Sequence, residues 1–192
     1  FGKLFGRHFM QVPDPKHLVG SFNSHLRDCV VLFGDEAFYA GDKKHESVLK
    51  TLVTEEMITI EAKGVDAVAS PNYVHLLLAS NAEWNVPAGP HERRFFVLEV
   101  SEGRKQDNAY FQAIQEELDA GGYEALLYLL RTHDLTGFNV RNAPKTEGLQ
   151  KQKMLSWTAD QDWWYQKLRD GEMLPGLGWP AHVFALELMD DF

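Results

Sequence analysis

The sequence predicts an α/β protein in which a strand-bearing core is followed by a helical C-terminal part. Three observations carry this reading. An unbroken apolar run rich in β-branched and aromatic residues stands at Cys29-Val30-Val31-Leu32-Phe33, and similar, largely apolar runs stand at Val74-His75-Leu76-Leu77-Leu78-Ala79 and Phe95-Phe96-Val97-Leu98-Glu99-Val100, the pattern of strands buried on both faces. Helical spacing fills the interval between the first two runs. Beyond Asp107 only helical periodicity remains, so residues 1–104 read as the core and 105–192 as a helical region.

The elements follow in order. Across residues 45–56, Val48, Leu49, Leu52 and Val53 recur on one helical face. Met57-Ile58-Thr59-Ile60-Glu61-Ala62-Lys63-Gly64 alternates strictly before a glycine, which predicts a hairpin arm with Ile58, Ile60 and Ala62 facing inward and Thr59, Glu61 and Lys63 outward. Tyr110, Phe111, Ile114 and Leu118 mark the face of the next helix; Gly121-Gly122 breaks it, and Leu126, Leu127, Leu129 and Leu130 carry another. From 146 to 171 a polar helical stretch bears Trp157, Trp163, Trp164 and Tyr165. The aromatic opening Phe1-Gly2-Lys3-Leu4-Phe5, without Met, and the apolar segment 183–189 both read as cuts through a longer folded protein.

Composition narrows the class. With 44% hydrophobic, 12% aromatic and 24% charged residues the chain of 192 is globular, which excludes a disordered, collagen-like or repeat-built protein. Its apolar runs fall far short of the roughly 20 residues of a membrane helix, and no signal peptide opens it. The single cysteine, Cys29, cannot form an internal disulfide and is expected to be a buried, inert thiol in a cytosolic protein. Nineteen basic against 28 acidic residues give −9, which argues against a surface that coats DNA. The first 27 residues, however, hold Lys3, Arg7, Lys16 and Arg27 against Asp14 alone, so any contact with a polyanion is local.

In open α/β sheets the reactive groups collect past the carboxyl ends of the strands. Here the first apolar run leads into Asp35-Glu36 and the second into Ser80-Asn81, while the third is entered from Glu92-Arg93-Arg94. Adjacent carboxylates at a strand end are what an NTPase uses: the aspartate holds the Mg²⁺ shell through water and the glutamate polarises the attacking water. Asn81 is a candidate to orient that water, and Arg93 or Arg94 to stabilise transition-state charge at a neighbouring subunit's nucleotide. Other chemistries find less support. The histidines lack H-E-x-x-H or zinc spacing, Ser80 lacks a nucleophile-elbow context, and the tryptophans suit packing better than base stacking. Asp28, Asp35, Glu36 and Asp42 leave open a two-metal nuclease.

The ordered set resembles a known family. Leu32-Phe33-Gly34-Asp35-Glu36-Ala37-Phe38, Leu49-Lys50-Thr51-Leu52-Val53-Thr54-Glu55-Glu56, Ile60-Glu61-Ala62-Lys63-Gly64, Leu78-Ala79-Ser80-Asn81-Ala82-Glu83-Trp84, Val86-Pro87 and Glu92-Arg93-Arg94-Phe95-Phe96 resemble the phage and plasmid primase-helicases of helicase superfamily 3, which are AAA+ ATPases. The resemblance spans about residues 5–155, with the leader Gly20-Ser21-Phe22-Asn23-Ser24-His25-Leu26. It implies a partial AAA+ core with Asp35 and Glu36 as the Walker B pair, Asn81 as the motif C sensor and Arg93 or Arg94 as the arginine finger. Lys63-Gly64 would tip a hairpin projecting into the pore of a hexameric ring to grip one DNA strand. The implied cofactors are ATP and Mg²⁺, the partners DNA, further copies of the chain and a primase domain, and the setting the cytoplasm of a bacterial host carrying a phage or prophage. A sixfold collar of Lys63 would reconcile DNA binding with the acidic whole.

One family motif is missing. No G-x-x-x-x-G-K-[ST] loop cradles a phosphate; Gly2-Lys3 is followed by Leu4 and lacks the earlier glycine. In relatives this loop and its strand precede Walker B by a few tens of residues, which places them ahead of Phe1. The segment alone is therefore expected to bind ATP-Mg²⁺ weakly or not at all and to be inactive. A non-catalytic interaction module derived from such an ATPase is the alternative.

Overall fold

In the computed structural model of the protein, residues 1–13, 20, 22–36 and 43–192 are described. Asp14, Lys16, Ser21, Ala37, Phe38 and Asp42, named above, lie outside them. A short helix α1, Gly2–Phe5, leads into strand β1, Phe9–Val12. Strand β2, Val31–Asp35, is followed by helix α2, Lys43–Thr54, and then by β3, Met57–Ala62, β4, Val65–Pro71, and β5, His75–Ala79. β1, β2 and β5 form a parallel sheet in that order, with Phe9 opposite Val31 and Val31 opposite His75. β3 and β4 form a separate antiparallel hairpin.

One core joins these parts. Leu32 of the central strand is fully buried, and Val12, Leu26, Cys29, Leu49, Leu52, Ile58, Ile60 and Val74 close around it. The helical repeat of α2 supplies Leu49 and Leu52, and the period-two repeat of β3 supplies Ile58 and Ile60. Burial pushes the Cys29 thiol up from its ordinary value, as an inert thiol requires. The hairpin turns through Lys63-Gly64, since Ala62 pairs with Val65, and Gly64 takes a φ of 76° that a side chain resists.

The third predicted strand is absent: residues 95–100 pair with no strand among those described. The run has strand composition, but a strand also needs a neighbour. Phe95 instead packs with Val86, Ala88 and Leu149. The Val97 carbonyl accepts from the Thr146 hydroxyl at 2.6 Å, and a Cβ on Gly148 would stand 3.0 Å from that carbonyl oxygen. A helix end has taken the place of a sheet edge, leaving Phe96, Leu98 and Val100 exposed.

The remaining chain is helical: α3, Asn108–Glu117, α4, Tyr123–Thr132, α5, Glu147–Leu155, α6, Ala159–Asp170, and α7, Ala185–Asp191. The chain kinks between α3 and α4 at Gly121, whose φ is 106°. The predicted helical stretch from 146 to 171 is two helices. Thr158 opens the second with a capping box to Gln161, and Gly171 closes it in the left-handed conformation. Asp191 ties α7 to α6 by accepting from the Trp163 indole and the Lys167 ammonium, each at 2.6 Å, and these donors hold its carboxyl below the ordinary range. Among the described residues no helix is long and apolar enough to cross a membrane.

Leu32→Ala, at the fully buried centre of the core, is expected to lower stability by about 2–5 kcal/mol. Urea unfolding followed by circular dichroism measures it, and a loss below about 1 kcal/mol contradicts this core assignment.

Candidate functional site

Because β1, β2 and β5 are parallel, their carboxyl ends share one side of the sheet, and the polar residues there converge. Asp35 is the last residue of β2. Glu36 continues the ladder by one bond, its N–H donating to the Ala79 carbonyl at 2.9 Å, and then turns with a φ of 52°. A positive φ at a glutamate is uncommon, and such backbone strain collects at functional sites. The turn brings Glu36 to the loop after β5, where Asn81 Nδ2 donates to Glu36 Oε1 at 2.8 Å. From the opposite flank, Gln11 Nε2 on β1 donates to Asp35 Oδ2 at 3.2 Å. Among the described residues each carboxylate is thus held by a neutral carboxamide, and both are open to solvent. Ser80 has a structural task, its hydroxyl oxygen accepting from the Ala82 N–H at 3.0 Å to shape the turn.

The loop from Asn81 to Arg94 is fixed from two sides. Gln152 of α5 is buried, accepts from the N–H groups of Asn85 and Val86 at 2.6 and 3.1 Å, and donates to the Glu83 carbonyl at 2.7 Å. Ser156, just beyond α5, accepts from the Trp84 indole and the Ala88 N–H, both at 3.1 Å. At the far end Glu92 is 8% exposed, and its Oε1 accepts from the N–H groups of Arg93 and Arg94 at 2.8 and 2.7 Å. The two arginines then differ. Arg94 Nη1 pairs with Glu92 Oε2 at 3.1 Å and lines a polar cleft along α2 with Glu46, Lys50 and Glu55. Arg93 is exposed and bonds no other side chain among the described residues.

The structure brings Asp35, Glu36 and Asn81 together, and among the described residues Arg93, Arg94, Lys63 and Gly64 make no hydrogen bond or ion pair with them. Lys63 and Gly64 tip the hairpin, both exposed. Lys3 is engaged elsewhere, 3.7 Å from Asp119 and over the Tyr123 ring, and interaction with Tyr123 first and Asp119 second raises its pKa. A Cβ on Gly2 would meet the Phe9 ring at 2.9 Å, so this glycine serves packing. Of the carboxylates considered for a nuclease, Asp28 precedes β2 while Asp35 ends it, which places them at opposite ends of the strand, and Asp42 lies outside the described residues. No three His, Cys, Asp or Glu side chains come together as a metal-binding group among the described residues. Gln11 escaped sequence reasoning; its one signal is a lone polar residue in the short run Phe9-Met10-Gln11-Val12.

Comparison with known proteins gives the following. Residues 1–94 match a family of unknown function, DUF5906; this stretch contains all the residues of the site and of the hairpin tip and ends at Arg94. No curated protein matches. The fold is similar to the apo structure of the NrS-1 C-terminal region (305–718), with a TM-score of 0.72 and 18% identity over 98% of this chain and 47% of that one. Two A-form apo structures of the NrS-1 C-terminal region give TM-scores of 0.68 and 0.69 at 21% and 20% identity, each over 88% of this chain and over 41% and 43% of theirs. The chain therefore spans just under half the length of the structures it resembles, and at these identities the likeness is one of fold.

Glu92→Ala is expected to destabilise the protein by about 1–3 kcal/mol, because it takes the acceptor from two part-buried N–H donors along with the Arg94 guanidinium. Chemical denaturation measures it; a change within about 0.5 kcal/mol would show that the carboxylate does not anchor the loop.

Proposed function

We propose that this chain belongs to the AAA+ ATPase core of a superfamily 3 type helicase or primase-helicase of phage or plasmid replication, acting as a ring on DNA. The observation that carries the reading is the pair Asp35-Glu36 at the end of the central parallel strand, with Asn81 from the adjacent strand's loop bonded to Glu36 Oε1 at 2.8 Å. The motif order along the sequence and the similarity of fold to the NrS-1 C-terminal region support it.

The residues fit a magnesium nucleotide in one specific sense. Magnesium keeps several waters and uses one or two carboxylates together with phosphates, rather than an all-protein cage. Two exposed carboxylates, with no third metal-ligating side chain beside them among the described residues, suit that mode. When bound, the magnesium nucleotide supplies the phosphoanhydride bond whose hydrolysis drives movement. The chain's own atoms divide the remaining work. Gln11 occupies Asp35 Oδ2, which leaves Oδ1 to accept from the metal's water shell. Asn81 occupies Glu36 Oε1, which leaves Oε2 to orient the attacking water and draw on its proton. Since Arg94 is committed to Glu92, Arg93 is the arginine that reaches a neighbour's nucleotide in the ring. Lys63, beside the Gly64 turn, presents a charge to DNA phosphate, and its contribution weakens with salt.

The test uses the full-length protein, because the sequence here carries no phosphate-cradling motif. Glu36→Gln is expected to lower ATP hydrolysis by about 10²-fold or more while ATP binding persists; hydrolysis at the wild-type rate would overturn the proposal, and absence of ATP binding by the full protein would favour an interaction module. Arg93→Ala subunits mixed with Glu36→Gln subunits are expected to recover hydrolysis, since some interfaces then pair an intact carboxylate site with an intact arginine. Recovery with Arg94→Ala and none with Arg93→Ala would reverse the assignment of the arginines.

A further inference from the structure

The hairpin β3–β4 is attached to the body through two asparagines. On the edge of β3 away from β4, Asn23 behaves as a strand neighbour would. Its Nδ2 donates to the Thr59 carbonyl at 2.8 Å and its Oδ1 accepts from the Glu61 N–H at 2.8 Å, while its own N–H donates to the Glu61 carbonyl at 3.1 Å. The β3–β4 register shifts between Ile60 and Ala62, so Glu61 sits at an irregularity of the ladder, and Asn23 satisfies its N–H there. A side-chain amide suits this place because it offers one donor face and one acceptor face, as a peptide group does. At the base of β4, Asn72 Nδ2 donates to the Leu52 and Glu55 carbonyls at 2.9 and 2.8 Å, and its Oδ1 accepts from the Val74 N–H at 3.1 Å. The Leu52 carbonyl lies in the last turn of α2, whose final acceptors lack helical partners, and the Glu55 carbonyl comes just after it.

Asn23 sits on the chain segment that leads into the carboxylate pair, whereas Asn72, in the link between β4 and β5, bonds the end of the helix that comes after the pair in the chain. From Asn23 the chain passes through a 3₁₀ turn, Ser24–Leu26, with Leu26 buried. The Val30 N–H then donates to the His8 carbonyl and the Val30 carbonyl accepts from the His75 N–H, at 2.8 and 2.7 Å, before β2 runs to Asp35. Asn72 holds the C-terminal end of α2, the helix that follows Glu36 in the chain. We propose that Asn23 and Asn72 are positioning residues that mount the hairpin on the segments before and after the carboxylate pair and so couple the DNA-contacting tip to that pair. The inference rests on the reading of Lys63 as a DNA contact.

Asn23→Ala in the full-length protein is the direct test. Amide exchange at Glu61 is expected to accelerate about tenfold with the loss of its acceptor. Stimulation of ATP hydrolysis by single-stranded DNA is expected to fall by about fivefold or more, with the rate in the absence of DNA held within about twofold. In the Lys63→Ala background, where stimulation is already lost, Asn23→Ala is expected to leave the DNA-independent rate within about twofold, whereas a merely structural role would lower that rate too. If Asn23→Ala does not fold, Asn23→Asp, which retains the acceptor for the Glu61 N–H and loses the donor to the Thr59 carbonyl, is expected to lower stimulation by a smaller factor while exchange at Glu61 stays slow. Slow exchange at Glu61 in Asn23→Ala, or stimulation intact in whichever variant folds while Lys63→Ala abolishes it, would overturn the coupling. Stimulation left intact by Lys63→Ala would instead remove the reading beneath it, and the coupling with it.

Discussion

The structure depends on the parallel register of β2 against β5. With Asp35 opposite Ala79 and the Glu36 N–H on the Ala79 carbonyl, the carboxylate pair and Asn81 emerge from adjacent strands at the same height. A slip of one residue would move every side chain of β2 to the other face, taking Leu32 out of the core and turning Asp35 away from Gln11. The core enforces the register through Leu32, which is fully buried between helix and hairpin. Apolar packing therefore sets a polar geometry that no contact within the site would specify alone.

Around this frame the protein fixes its loops with neutral amides and one buried carboxylate. Gln11, Asn81, Asn23, Asn72 and Gln152 each bond backbone or carboxylate groups with a side chain that offers both donor and acceptor. Neutral groups pay little desolvation penalty compared with charges, so they can stand inside or beside the core and leave charge balance at the site unaltered. Glu92 is the exception, and it is matched by two N–H donors and the Arg94 guanidinium. That match ties Arg94 down, whereas Arg93 stands exposed and bonds no other side chain among the described residues.

Much of the fold was legible because hydrophobic period tracks secondary structure where elements are long or sharply bounded. β2 and β5 followed from apolar runs, α2 from the spacing of Leu49 and Leu52, and β3 from the alternation of Ile58 and Ile60. The failures have physical causes. β1 spans four residues with a glutamine inside, too short for a period to register, and with it Gln11 was missed. Residues 95–100 have strand composition, yet composition says nothing about whether a partner edge is present. The meeting of Asp35, Glu36 and Asn81 followed from the rule that parallel strands present their carboxyl ends together, whereas Gln152 and Ser156, some 70 positions from their partners, gave no local signal.

The central claim is that the Asp35-Glu36 pair, held by Gln11 and Asn81, receives the magnesium side of a nucleotide. The most direct measurement is a crystal structure of the full-length protein with Mg²⁺ and a non-hydrolysable ATP analogue. The account predicts the metal's water shell against Asp35 Oδ1, a water at Glu36 Oε2 and Arg93 of an adjacent copy at the terminal phosphate. A nucleotide whose metal makes no contact, direct or through water, with Asp35 would contradict it.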